Sequence, residues 1–217
     1  REHDTEKTLL NKIRLATILG TIQSTLTNFK FLSQEWKHNT DEERLLGVSL
    51  TGIMDCKLTS NPNPKLLERL RDHARQTNKE FAKQLKIPES TSITCIKPSG
   101  TVSQLVNSAS GIHARHSPYY IRTIRMDKKD PIYNFLKEQG VKVEDEQFRP
   151  ESTAVFSFPI KAPKGSVTRN DKTALEQLEL WLIYQHHWCE HKPSVTISVK
   201  DHEWMEVGAW VYKYFDE

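Results

Sequence analysis

The chain has 217 residues and a net charge of +3, from 31 basic against 28 acidic side chains; 36% of residues are hydrophobic. This is enough for one large domain or two small ones, and ten prolines with eight glycines exclude a fibrous or disordered composition. The near-balanced charge gives no footprint for nucleic acid, and no run approaches the roughly 18 apolar residues of a membrane span.

Taken in chain order, residues 5–26 carry Leu9, Ile13, Ala16 and Leu19 at a helical period. Residues 45–54, apolar with two glycines, fit either a buried strand or a passage from helix to strand. Asn63-Pro64 opens a long helix by an N-cap and a proline at its first turn. Its apolar face is Leu67, Leu70, Ala74, Phe81 and Leu85, and Ile87-Pro88 ends it. Strands are expected at 92–97, 118–125, 153–160 and 194–199. Short helices are expected near 101–107 and 131–139, the second stopped by Gly140. A helix over about 171–189 is apolar nearly all round, which predicts deep burial. Asp201 caps a last helix with Trp204, Val207, Val211 and Tyr214 on one face. Strands separated by helices pair in parallel through crossovers, so the predicted class is α/β. The chain starts in a charged segment that lacks a signal-peptide core, opens at once into a helix, and closes on another, so a larger sheet is expected.

The segment Ile96-Lys97-Pro98-Ser99-Gly100-Thr101-Val102-Ser103 joins a strand to a helix through a glycine and three hydroxyls. Free amides at a helix start, small hydroxyls and a glycine suit an anion such as phosphate. The same residues also suit an ordinary N-cap with no ligand. The Walker pattern is absent.

The stretch "KPSGTVSQLVNSASGIHARHSPYYIRTIR" (97–125) resembles the phosphate-loop region of ribonucleotide reductase large chains. The resemblance is best to the adenosylcobalamin-dependent (class II) branch, and within it to the monomeric triphosphate-reductase type. "LLGVSLTGIMD" (45–55) and "HHWCEHKPSVTISVKDHEW" (186–204) resemble the same proteins in the same order, so the likeness covers essentially the whole chain. It implies parallel strands with crossover helices, forming most of the second half of a ten-stranded barrel, with residues 1–217 as one half-barrel. It assigns Ser99, Gly100, Thr101, Val102 and Ser103 to binding the phosphates of a ribonucleoside triphosphate. It implies adenosylcobalamin as cofactor of the complete enzyme.

The family's radical cysteine, on a finger loop, and its redox cysteine pairs match no position here, so the resemblance supplies no catalytic residue. The expected partner is an N-terminal half carrying the finger-loop cysteine, and the fragment alone is expected to be inactive. Membrane and nucleic acid are not expected partners. A homo-oligomer that hides open sheet edges is a further expectation. The alternative function is a non-catalytic nucleotide-binding or scaffold domain derived from a reductase.

The remaining chemistry-bearing residues read as structural. Cys56, Cys95 and Cys189 are an odd, widely spaced set that suits a reducing, cytoplasmic compartment. Cys95 lies in a predicted buried strand and is expected to be inert. His187 and His191 have helical metal-ligand spacing with no further cluster, so no metal is expected. Tyr119-Tyr120 reads as packing, and Arg115, His116, Arg122 and Arg125 form a basic neighbourhood after the loop.

Overall fold

The computed structural model describes residues 1–100 and 102–217. They divide into two compact units, Arg1–Arg115 with Lys164–Glu217, and His116–Pro163.

In the first unit, α1 (Glu6–Gln23) starts where the Thr8 amide donates to the Thr5 hydroxyl at 3.3 Å and the Thr5 amide donates to the Thr8 hydroxyl at 2.9 Å. This reciprocal cap satisfies two amides that the helix leaves unpaired. Leu9 and Ile13 are buried on one face, and Thr17 and Thr21 continue it. Both threonines bury safely because each hydroxyl donates to the carbonyl one turn back, at 2.8 Å. A second helix, α2 (Gln34–Glu43), comes next; its polar sequence buries nothing and gave no periodic signal.

The ambiguous stretch after it becomes a two-residue strand, β1 (Val48–Ser49), then a 3-10 turn (Ile53–Asp55). After the short α3 (Lys57–Ser60) comes α4 (Pro64–Leu85), with Asn63 accepting the Lys65 amide at 3.0 Å. Leu67, Leu70 and Ala74 are fully buried against α1, while Leu85, at the far end of the predicted face, is exposed. Lys86 ends the helix in the left-handed region, φ 57°, just before Ile87-Pro88.

Strand β2 (Thr94–Cys95) then pairs in parallel with β1, with Val48 opposite Thr94 and Ser49 opposite Cys95. The α3–α4 crossover makes this parallel pairing feasible. The core gathers around it: Ile53, Met54, Leu67, Leu70 and Ile96, with Tyr184 and Trp188 from the helix below.

That helix is α7 (Ala174–His187), started by a capping box between Thr173 and Glu176. Two fully buried aromatics at its C-terminal end, Tyr184 and the C-cap Trp188, give their polar atoms partners. Tyr184 donates to the Thr59 carbonyl, and Trp188 Nε1 donates to the Cys95 carbonyl, each at 2.8 Å. The predicted strand at 194–199 forms no ladder. The edge of β2 facing away from β1 is already occupied. Glu190 accepts the Ile93 and Thr94 amides at 2.8 and 3.0 Å, and the Glu190 amide donates to the Thr94 carbonyl at 2.9 Å. From the 194–199 segment the Ser194 amide donates to the Ile96 carbonyl at 3.0 Å, just past β2.

The last helix, α8 (Trp204–Lys213), lies where predicted but is turned differently. Trp204 and Val211 are exposed. Trp210 instead meets Trp181 edge-on at 6.4 Å and donates to Glu179 at 2.6 Å.

The second unit departs from the predicted pairing. Strands β3 (Tyr119–Asp127), β4 (Val143–Asp145) and β5 (Thr153–Lys161) form an antiparallel sheet in the order β3-β5-β4. The short 146–152 turn between β4 and β5 leaves no room for a crossover and reverses the chain. Within that turn Glu146 accepts the Phe148 and Arg149 amides at 2.8 and 3.0 Å. Helix α6 (Pro131–Glu138) is capped by Asp130 and followed by Gly140 at φ 74°. Its Tyr133 meets the buried Phe156 edge-on at 5.9 Å.

Candidate functional site

Small hydroxyl residues follow both parallel strands within a few positions of their ends. Ligands of parallel sheets sit outside the carboxyl ends of the strands. There, Thr51 after β1 and Ser99 after β2 bring their hydroxyl oxygens to 2.7 Å. Ser110 joins them: its Oγ lies 3.4 Å from that of Ser99 and accepts the Ser99 amide at 3.1 Å. The Gly111 amide donates to both Thr51 (2.9 Å) and Ser99 (3.2 Å). Three hydroxyls and an amide from three separate loops therefore converge. A cavity of about 240 Å³ opens beside them, lined by Ser49, Thr51, Gly52, Val106 and Ser108 among others.

The site residues named from sequence are placed unequally. Ser99 is half-buried in the hydroxyl cluster, Gly100 is exposed with open space where a Cβ would stand, and Val102 is exposed. Ser103 is fully buried, and its hydroxyl donates to the Ser99 carbonyl at 2.5 Å, so it braces the loop from behind. Thr101 lies outside the described residues. The helix here, α5 (Val102–Leu105), is a single turn. Its macrodipole is correspondingly small, so an anion at this mouth depends on individual donors. Thr51 was not singled out from sequence, and Ser110 entered only within the 107–112 segment that continues the resemblance and shapes the turn; the signal for Thr51 was a hydroxyl just past an apolar run, paired in space with one forty-eight residues on.

Glycine is required at two points. Gly52 has φ 73°, and a Cβ there would stand 2.1 Å from Ser108 Oγ. Gly111 has φ 53°, and its Cβ would approach the Lys97 carbonyl to 3.2 Å.

Behind the mouth lies a buried ion pair. Arg115 reaches Asp55 through Nε at 2.9 Å and Nη2 at 2.8 Å, with side-chain exposures of 1% and 2%. Burial pushes the Asp55 carboxyl up, but the Arg115 guanidinium, the Ala109 amide (2.7 Å) and the Ser166 hydroxyl (2.8 Å) outweigh it and hold it below the usual value. The basic residues noted in sequence divide between the two units. Arg115 is turned into the core of one unit, while Arg125, in the other, pairs with Glu146 at 3.4 Å.

Cys95 is fully buried, and burial raises its pKa; burial pushes Cys189 up to about 12. Both are protonated thiols at neutral pH, poor nucleophiles and poor metal ligands. His187 bonds Glu68 at 2.9 Å and His191 bonds the Leu46 carbonyl at 3.1 Å, so the two rings serve different partners. Among the described residues no group of three or more His, Cys, Asp and Glu is arranged to hold a metal. Likewise no described helix is long and apolar enough to cross a membrane.

The fold is of the class seen in a crystal structure of a B-12 dependent (class II) ribonucleotide reductase. The TM-score is 0.76 over 95% of this chain and 32% of that one, at 24% identity. Relatives named adenosylcobalamin-dependent ribonucleoside-triphosphate reductase cover much of the sequence. The Euglena gracilis protein is 31% identical over 77% of this chain and 24% of its own length. The protein of Lactobacillus delbrueckii subsp. bulgaricus is 26% identical over 85% of this chain and 29% of its own length. The chain therefore spans less than a third of either relative, and the relatives carry the family name that its three sequence blocks resembled. No family model matches it.

Proposed function

We propose that this chain is the C-terminal half-barrel portion of an adenosylcobalamin-dependent ribonucleoside-triphosphate reductase, and that its mouth at residues 99–103 holds the substrate's phosphates. The observation that carries the reading is the convergence of Thr51, Ser99 and Ser110 hydroxyls with the Gly111 amide at the carboxyl ends of two parallel strands, in a chain similar to reductases so named. Ser99, Gly100, Thr101 and Val102 are the residues this reading sets against the phosphate oxygens; the Ser99 amide already donates to Ser110, so Ser99 would act through its hydroxyl. Open space at Gly100 lets the anion approach the backbone. Ser103 holds the loop's shape rather than touching the ligand.

The whole reaction exchanges the ribose 2′-hydroxyl for hydrogen, releases water and consumes two electrons from a dithiol. The high-pKa thiols of buried Cys95 and half-buried Cys189 are not suited to supply them. The radical cysteine belongs to the N-terminal portion that carries the finger loop, and the dithiol to other parts of the complete enzyme. Adenosylcobalamin generates the radical in the complete enzyme. The donor set at this mouth, hydroxyls and amides, suits an anion. The ten-stranded barrel forms when the two portions meet, in the cytoplasm.

Calorimetric titration with CTP and with inorganic tripolyphosphate tests the reading. Both should bind, and Ser99→Ala should weaken both by about tenfold, as expected for one hydrogen bond to a charged oxygen. No heat from either ligand would remove the phosphate site.

A further inference from the structure

We infer that the Asp55–Arg115 pair is the positioning element of the anion mouth; the inference rests on the phosphate reading of that mouth. The pair grips one turn, residues 107–111, from two sides. Arg115 donates through Nη1 to Asn107 Oδ1 (3.1 Å) and through Nη2 to the Asn107 carbonyl (2.8 Å). Asp55 accepts the Ala109 amide at 2.7 Å. The other side of the same residue is taken as well: the Ala109 carbonyl accepts from the Gly52 amide (2.7 Å) and the Thr51 hydroxyl (3.0 Å). Asn107 sits in the left-handed region at φ 46°, a conformation the guanidinium holds by binding its carbonyl and its side chain together.

Immediately beyond Ala109 the chain enters the mouth. Ser110 Oγ and the Gly111 amide are the next groups along it, and both contact Ser99. The turn also reaches back to the loop's brace, since the Ser108 amide donates to the Ser103 carbonyl at 2.8 Å. A buried ion pair adds little net stability compared with apolar residues of the same volume. Its forked geometry does fix direction. Here the direction it fixes is that of the backbone just before Ser110 and Gly111. Neither Asp55 nor Arg115 needs to touch ligand, and each acts through the turn.

The test compares the full chain with Asp55→Asn and Asn107→Gly. The glycine substitution keeps the left-handed backbone and removes one acceptor of Arg115 on an exposed loop, so it folds even if Asp55→Asn does not. Two readouts are taken: tripolyphosphate affinity by calorimetry, and amide hydrogen exchange at Ala109 and Gly111 against α4 as internal reference. Asp55→Asn should weaken tripolyphosphate about tenfold and speed exchange at Ala109 and Gly111, with α4 unchanged. Asn107→Gly should give the same pattern with an effect of roughly twofold to fivefold. Unchanged affinity in both variants, or exchange that quickens equally in α4, overturns the inference and leaves a merely structural ion pair. If the unsubstituted chain binds no tripolyphosphate while exchange at the turn still quickens selectively, the phosphate reading falls and the clamp on the turn stands.

Discussion

Asp55 closes an apolar run in sequence, and nothing near it announces a partner. Its partner, Arg115, lies sixty residues away in a stretch that reads as a basic surface. This is why the pair was illegible: burial of a charge is a property of the folded core, and periodicity reports apolar residues only. The serines of the 99–103 loop were legible because small hydroxyls and a glycine between strand and helix have a local meaning. Which of them face outward was not, since Ser103's inward turn depends on the Ser99 carbonyl. The pair also sets a pH dependence. The Asp55 carboxyl is lower in the folded chain than its unfolded value of about 4. Its contribution to stability is therefore fully present above about pH 4 and is lost as pH falls through the folded value. Arg115 stays protonated throughout. Urea unfolding from pH 7 down to pH 3 should show an acid-limb loss that Asp55→Asn flattens. At pH 7 that substitution should cost about 3 kcal/mol or more, because it leaves the arginine buried and unpaired. An equal acid slope in both proteins would show that other carboxylates govern it.

The elements that were readable are those with local punctuation. Asn63-Pro64 before α4 fixes a helix start by chemistry within one turn and was read as such, whereas the Asp130 cap of α6 and the Thr173–Glu176 capping box of α7 came to light only in the structure. Polar α2, with no apolar stripe, was missed for the converse reason. Pairing was harder. β1 and β2 are two residues each and owe their parallel register to the α4 crossover, whereas β4 and β5 are reversed by a turn. Strand-like composition is the same in both cases. The segment at 194–199 has it too, yet Glu190 takes the edge it would use. If α4 is held chiefly by its buried face, the face should outweigh the cap. Leu70→Ala, at a fully buried position against α1, should lower stability by about 2–5 kcal/mol. Asn63→Ala should lower it by only about 1 kcal/mol. Urea titration of both variants checks the order, and a cap loss equal to the core loss would contradict it.

At the scale of the molecule, α1 presents two apolar faces. One, with Leu9, Ile13, Thr17 and Thr21, is buried against α4. On the opposite side Leu15, Leu19 and Ile22 are exposed, and Leu26 beyond the helix extends the stripe. A helix apolar on both sides belongs inside a larger body. The exposed Trp204, Met205, Tyr212 and Phe215 at and beyond α8 add a second such surface within the same unit. Exposed apolar surface of this kind marks a contact site. The proposed function supplies the occupant: the remainder of the barrel, in relatives of which this chain spans less than a third. Alone, the chain should self-associate through the same stripe. Sedimentation velocity from about 5 to 100 µM should show a mass that rises with concentration, in the range where weak apolar contacts form. Leu19→Lys should reduce that rise without lowering the melting temperature by more than a few degrees, because the side chain is exposed and surface changes cost little. Adding a polypeptide that carries the finger-loop portion should replace the self-associated species with a one-to-one complex, and Leu19→Lys should weaken that complex too. A chain that stays monomeric across the range, and a complex indifferent to Leu19, would place the barrel contact on another face.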